Sequence, residues 1–351
     1  MRIGQRALEP GSPYVIAEAG VNHNGDVELG KLLIDAAREA GADAVKFQAF
    51  TVDEIITEEA PQAAYQAKNT GISESQAAML RKLALSHDEF RTLKAYADER
   101  GIEFLATPFS IPDADFLHSL DLPAYKISSG DLTNIPLLEH IAGFGKPILL
   151  STGMATLEEI RETLASIPVK KEVVLLQCTS EYPCPPAHAN LRAIETLRDT
   201  FNVPVGFSDH TEGVDASIYA VSLGAVLIEK HFTMDKTLPG PDHNASLEPA
   251  ELTKLIRRVR ETIPSSLTVP EEILGNAKKE PTADELATKR LVRKGIAARR
   301  DIRKGETLSD ANIFIARPEG LLLPKEWNNV LGKHAKVGIL QGSSLSWDMI
   351  E

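Results

Sequence analysis

VPVGFSDHTEGVDASIYAVSLGAVLIEKHF, residues 203–232, contains two short apolar runs joined by a helix-compatible stretch. The first run ends in Ser208, Asp209 and His210, the second in Glu229 and His231. None of these side chains stabilises a buried strand. A strand, a polar turn, a helix and a second strand in one short segment form a unit of parallel sheet, whose strands are apolar on both faces. The polar residues then fall at the strand ends, where the chain turns out of the sheet.

Six further runs have the same character: YVIAEAG (14–20), AVKFQAF (44–50), IEFLATP (102–108), AYKISSG (124–130), PILLSTG (147–153) and VVLLQCTS (173–180). Amphipathic stretches alternate with them, among them 28–42, 88–101 and 190–201. Gly41 and Gly101 read as helix stops, and Thr156 three residues before Glu159 as a capping box. Eight such units predict a (β/α)8 TIM barrel. The competing fold is an open doubly wound sheet, but GVNHNGD (20–26) lacks the G-x-G-x-x-G of a dinucleotide site. Residues 51–85 break the rhythm and read as a loop with helical pieces beside the barrel mouth.

The chain has 351 residues, and a barrel of about 250 leaves room for one small module. The expected division is a barrel over 1–264, a Pro-, Glu- and Lys-rich linker over 265–289 and a small irregular β domain over 290–351. Residues 290–304 hold seven Lys/Arg and one Asp, which suits either a solvated face or docking on the acidic body of a partner chain. A net charge of -12 argues against a general nucleic-acid surface. With no apolar leader in residues 1–13 and no run near 18 apolar residues, no membrane role and a cytoplasmic location are expected. Cys178 and Cys184 match no dithiol or zinc-knuckle spacing and read as free thiols.

Active sites of such barrels form at strand C-termini. Here Glu18 ends the first strand, Lys46 and Gln48 share one side of the second, and Thr107 and Phe109 close the third. The fourth supplies Lys126, Ser129 and Asp131, the fifth Ser151, and the loop after the sixth Tyr182. Polar ends on all eight strands predict a reaction chamber.

His210 and His231, on adjacent strands, suit one divalent ion. No compact Cys/His cluster supports a closed zinc site, so an open Mn2+ or Mg2+ site with oxygen ligands such as Glu18 fits better. In the competing reading His210 orients Asp209 and His231 fills a polar barrel end. Lys46 and Lys126 need a negative partner if buried. That partner is either Glu229 or a phosphate or carboxylate ligand, with Ser129, Ser151 and Ser208 adding donors. A Schiff-base aldolase would also use such a lysine.

Taken in order, IAEAGVNHNGD, VKFQAF, YKISSGD, GFSDHTEG, EKHFT and GPDHNAS resemble the sialic acid synthase family. The tail resembles that family's antifreeze-like (SAF, β-clip) domain, and the likeness runs from about Ile3 to Trp347. The resemblance implies metal-dependent condensation of phosphoenolpyruvate with an N-acetylated hexosamine and water. N-acetylmannosamine, giving N-acetylneuraminate, is the first acceptor expected; the alternative is a legionaminic acid synthase using 2,4-diacetamido-2,4,6-trideoxymannose. A domain-swapped homodimer is also implied, each tail capping the partner's barrel.

On this resemblance His210 and His231 hold Mn2+ or Mg2+, and Lys46, Lys126, Ser129, Ser151 and Ser208 surround phosphoenolpyruvate. Gln48, Tyr182 and Asp242 face the sugar, with Thr107 and Phe109 also expected to touch substrate. Arg317 is assigned to the sugar's acetamido group, with Arg293 as the other choice. Glu18 would orient or deprotonate the attacking water, aided by Asp131, while Asp209 fixes the imidazole or binds a second polar group. Asp131 stands where the family pattern has Glu, one methylene longer. His23 and His243 are open between ligand contact and loop framework. Sugar binding without turnover would leave the polar strand ends unexplained.

Overall fold

The structure, a computed structural model, describes residues 1–168 and 172–351. A short hairpin, β1 (Arg2–Ile3) and β2 (Arg6–Ala7), precedes eight parallel strands. These are β3 (Tyr14–Gly20), β4 (Ala44–Ala49), β5 (Glu103–Pro108), β6 (Tyr125–Ile127), β7 (Ile148–Ser151), β8 (Val173–Cys178), β9 (Val205–Asp209) and β10 (Leu227–His231). They are ordered β5-β4-β3-β10-β9-β8-β7-β6, and β5 packs beside β6 across the seam, giving a nearly closed TIM-like barrel. The predicted strand at 124–130 stops at Ile127, because Ser129–Asp131 curl into a single 3-10 turn.

Helices surround the barrel, and their ends follow local chemistry. The helix Val27–Ala40 starts at Asp26, whose carboxylate accepts from the Glu28 amide, and stops at Gly41 with φ 86°. Ser86 and Thr156 each cap a helix with Glu three residues later, satisfying amides that have no intrahelical partner. The insertion at 51–85 is more helical than a loop: Val52–Ile55, Ala64–Thr70 and Gln76–Leu83 stand over the mouth.

Inside the barrel, side chains two residues apart share a face and change character together. A lower layer of Ile16, Leu105, Leu149 and Leu227 is fully buried, with Ile3 and Leu8 of the hairpin region in the same cluster. Two residues further along those strands stand Glu18, Thr107, Ser151 and Glu229. Gly206 fits the same pattern: a Cβ there would lie 2.6 Å from the Leu227 carbonyl and 2.7 Å from Leu176. The barrel is thus a packed apolar plug with a polar lid.

The expected linker is structured. It contains helices Glu271–Leu274 and Ala283–Val292, the second crossing the expected boundary at 290. Beyond it, β11 (Gly295–Ala298) pairs antiparallel with β12 (Ile313–Ala316), and isolated bridges complete a small β domain around Ile296, Leu308, Val330 and Leu345. This domain rests on the chain's own barrel. Ile56 and Arg317 form a parallel bridge, and Arg299 makes a double contact to Glu54 at 2.7 and 2.8 Å. The basic stretch therefore docks on an acidic surface, but within one chain.

Candidate active site

The polar lid encloses one chamber at the strand C-termini, and fourteen of the sixteen predicted site residues line it. Its floor is ionic. Lys46 Nζ lies 2.6 Å from Glu18 Oε2 and 3.7 Å from Glu229 Oε2, and it donates to Thr107 Oγ1 at 3.2 Å. Lys126 Nζ lies 3.4 Å from Glu229 Oε1, which also accepts from Ser208 at 3.0 Å. Gln48 donates to Glu18 at 3.2 Å. Two buried ammonium groups thus sit beside two buried carboxylates. Burial disfavours the charge on Lys46, but Glu18 and Glu229 outweigh it and raise its pKa; at Lys126 burial wins and lowers it. Glu229 is held down at about 2 despite burial, chiefly by Lys126 and Lys46.

Ser129, Ser151 and Ser208 surround these lysines, and the buried Ser151 Oγ has no partner. Of the two readings of the lysines, the structure shows the paired one: Glu18 and Glu229 neutralise them, while among the three serines the Ser151 hydroxyl alone is left without a partner.

His210 and His231 come together with ring centroids 5.6 Å apart. His210 Nδ1 sits 2.7 Å from the Thr179 carbonyl, which fixes the proton on Nδ1 and leaves Nε2 as an acceptor. His231 Nδ1 is buried with no hydrogen-bond partner, and burial, reinforced by His210, holds its pKa well below the usual value. His231 is paired in register with Glu18. The two imidazoles, one with an unpartnered buried Nδ1, are donors that suit an open divalent site, whereas Glu18 beside them is engaged by Lys46 and Gln48.

A second cluster was not anticipated. Glu181, His188 and Asp284 bring ligand atoms within 4.8 Å of one another. Glu181 already accepts from Thr282 at 2.5 Å and faces His188 Nδ1 at 2.9 Å, so this group joins the linker to the loop after β8.

Beside the imidazoles, Tyr182 packs 4.1 Å from His210 and stacks on Tyr65 at 4.9 Å. Burial, with Glu18 adding to it, raises Asp242 to about 6. Arg317 reaches in from the C-terminal domain and lies 5.4 Å over the Phe109 ring. Arg293 is fully buried against Thr133 at 2.6 Å and does not line the chamber, so Arg317 is the arginine at the site. Tyr65 carried no periodic signal in the insertion, and only the fold brings it here.

Two expectations are corrected. Asp209 lies one residue out of phase with Ser208 and points away from the chamber. It accepts from Thr211 and Ser217 and pairs with Lys230 at 3.0 Å, so of its two expected roles it binds other polar groups and orients no imidazole, and it does not line the chamber as a catalytic group would. Asp131 is fully buried against Lys294 at 2.8 Å and Asn134 at 2.9 Å, and does not line the chamber. It anchors the C-terminal domain and is not positioned to aid water. His23 and His243 also serve the framework: His23 Nδ1 accepts from the Gly25 amide, and His243 links Thr233 to Asn24.

The pattern of the NeuB family matches residues 33–268, and that of the SAF domain residues 293–351. The chain belongs to the NeuB family. This sialic-acid-synthase-like NeuB protein is 42% identical over 344 residues to an N,N'-diacetyllegionaminic acid synthase of Legionella pneumophila, covering 96% of this chain and 94% of that one. It is 35% identical over 342 residues to the N-acetylneuraminate-9-phosphate synthase of Mus musculus, covering 96% and 92%. The crystal structure of the spore coat polysaccharide biosynthesis protein SpsE of Bacillus subtilis superposes with a TM-score of 0.84 at 34% identity, covering 100% of this NeuB chain and 99% of that one. No helix among the described residues is long and apolar enough to cross a membrane.

Proposed function

We propose that this chain condenses phosphoenolpyruvate with 2,4-diacetamido-2,4,6-trideoxymannose and water to give N,N'-diacetyllegionaminic acid and phosphate. The observation that carries this reading is the division of the chamber into an ionic floor and an apolar wall. Ile55, Met79, Leu80, Leu83 and Phe109 line one side, all but Phe109 from the insertion. A 6-deoxy sugar with two acetamido groups presents three methyl groups to such a wall, each worth about 0.8 kcal/mol when buried. N-acetylmannosamine, the acceptor expected first from the sequence, has one acetamido methyl and a C6 hydroxyl. The likeness to the Legionella synthase supports the same order.

Lys46 and Lys126, with Ser129, Ser151 and Ser208, bind the phosphate and carboxylate of the donor and hold its C3 carbon toward the acceptor. The C2=C3 electron pair attacks the open-chain aldehyde carbon, forming the new C–C bond and opening the C=O to an alkoxide that takes up a proton to become the product hydroxyl, and positive character is left at C2. Glu18, at the edge of the floor, takes a proton from the water that adds there, and phosphate departs with the C2–O bond. His210 and His231 would hold Mn2+ or Mg2+, which supplies Lewis-acid polarisation of the acceptor's aldehyde oxygen. Asp242 and Arg317 bind the sugar's polar groups. In a homodimer with exchanged C-terminal domains, our proposal for the assembly, the Arg317 contact would form between copies.

The test is phosphate release with each sugar in turn, with phosphoenolpyruvate and a divalent ion present. A kcat/KM for the diacetamido sugar about 10-fold or more above that for N-acetylmannosamine is expected. The reverse order would restore the neuraminate reading, and release without any sugar would end both.

A further inference from the structure

The linker helix Ala283–Val292 carries a carboxylate against the turns after β7 and β8 that the proposed chemistry does not use. Glu285 is 2% exposed, and its Oε1 accepts from two backbone amides of different loops, Met154 at 2.7 Å and Ser180 at 2.8 Å. Its Oε2 accepts from the Thr282 amide at 3.1 Å, closing a capping box that fixes the helix start. Nearby, Lys279 is buried and donates to the Cys178 carbonyl at 3.2 Å. The linker therefore crosses the ends of β7 and β8 and is fixed to them.

The inner side of the same turns faces the donor end of the chamber. The Gly153 amide donates to Ser129 Oγ at 2.9 Å, and Ser129, Ser151 and Ser180 all line the chamber. The packing there is tight: a Cβ on Gly153 would collide with Ser180 Oγ and stand 2.7 Å from Ser129 Oγ. Met154 adopts φ 59°, a left-handed conformation that a long side chain avoids unless its surroundings impose it. The amide of that residue is one of the two that Glu285 holds.

We infer that Glu285 is a positioning residue for the donor anion. By holding the Met154 and Ser180 amides from outside, it sets the turns that present Ser129, Ser151 and Ser180 to the phosphoenolpyruvate phosphate or carboxylate. The identity of that anion rests on the proposed function; the positioning does not depend on which sugar follows. Without the carboxylate, two buried amides lose their acceptor and the Met154 turn loses what imposes it. The hydroxyl groups then spread over several arrangements, and donor binding weakens while the acceptor lobe, built from the insertion and Arg317, stays as it was.

The test uses the full chain with Mn2+ or Mg2+. Glu285→Ala should raise the KM for phosphoenolpyruvate at least tenfold with the sugar KM within twofold. Glu285→Gln keeps a side-chain oxygen acceptor and should fall between the two. Calorimetric titration with phosphoenolpyruvate alone reads the same weakening without turnover, and serves as the measurement if no sugar proves a substrate. Wild-type donor affinity in Glu285→Ala, or equal losses for donor and sugar in the folded Glu285→Gln protein, would overturn the inference. A wild-type chain that turns over neither sugar yet binds phosphoenolpyruvate more tightly than Glu285→Ala would sink the proposed function and leave this one standing.

Discussion

Asp209 and Lys230 face each other at 3.0 Å with both side chains completely buried, on the side of the sheet away from the chamber. They are register partners on β9 and β10, directly behind the strand ends that carry Ser208 and His231. Removing one partner of a buried pair strands the other charge and costs about 3–5 kcal/mol. Asp209→Asn should therefore lower the melting temperature strongly, while kcat per folded molecule changes by less than about threefold. A stable variant with kcat down by orders of magnitude would return Asp209 to the chemistry.

Glu18 makes the opposite prediction. Its carboxylate is within 2.6 Å of Lys46 at the chamber floor, and a glutamine keeps its shape while removing its basicity. General-base roles are worth about 10²–10⁴ in rate. Glu18→Gln should lose kcat in that range with the phosphoenolpyruvate KM changed by only a fewfold. Steady-state phosphate release decides it, and a wild-type kcat would remove Glu18 from the proton transfer.

The contrast between Glu18 and Asp209 shows what the sequence could and could not disclose. Strand ends mark the chamber, and the two-residue period locates Lys46 with Gln48 and Glu229 with His231 on inward faces. The same period, applied strictly, puts Asp209 outside once Ser208 is inside, so its orientation is legible in the strand itself. Glu285 left a signal too, since Thr282 three residues before it is a capping box, but a Pro-, Glu- and Lys-rich stretch reads as solvated. Asp131 with Lys294 gave none. Their pairing spans two domains, and no local pattern encodes a contact between residues 163 positions apart. Tyr65 is hidden likewise, because its insertion helix buries only Gln66 and has no apolar stripe to give its direction.

Asp242 sets an acid limb. Burial, helped by Glu18, raises it from the model-peptide value of 3.8 to about 6, so it is protonated below that pH and ionised above it. A sugar hydroxyl is best received by the ionised form. kcat/KM for the sugar should rise with pH through about 6, and Asp242→Asn should flatten this limb at a lower plateau. For stability the sign is reversed: the contribution of protonated Asp242 is complete below pH 3.8 and lost as pH rises through about 6. A pH profile unchanged by Asp242→Asn would rule out this residue as the titrating group.

The two donor clusters are separable by metal binding. His210→Ala or His231→Ala should abolish tight Mn2+ binding, read by electron paramagnetic resonance of free Mn2+, and with it phosphate release. His188→Ala removes a donor from the group at the linker and should leave both within about twofold. Losing a side chain that merely orients a metal ligand commonly costs about 10–100-fold in affinity, so losing a ligand itself should cost at least as much. Loss of Mn2+ binding in His188→Ala alone would move the site to Glu181 and Asp284. Chelation of the wild type should stop turnover reversibly.

Asp131 and Lys294 join the barrel to the C-terminal domain, and Lys294 also donates to the Phe109 carbonyl. Burial already lowers the Lys294 pKa, and Asp131 is the main influence opposing it. Asp131→Asn leaves an ammonium with one neutral partner in a buried place. The domain should then loosen where it meets the insertion, at the Arg317 amide on Ile55 and the Thr57 amide on Arg317, 2.9 and 3.0 Å apart. Hydrogen exchange at Arg317 and Thr57 should accelerate, and the sugar KM should rise about tenfold as Arg317 leaves Phe109, with the phosphoenolpyruvate KM little changed. The double variant Asp131→Leu with Lys294→Met removes both charges and should recover most of the protection, since buried pairs are often replaced by apolar residues at little cost. Wild-type exchange at those two amides in Asp131→Asn would show that the domain is held elsewhere and that Asp131 owes its burial to the turn after β6 alone.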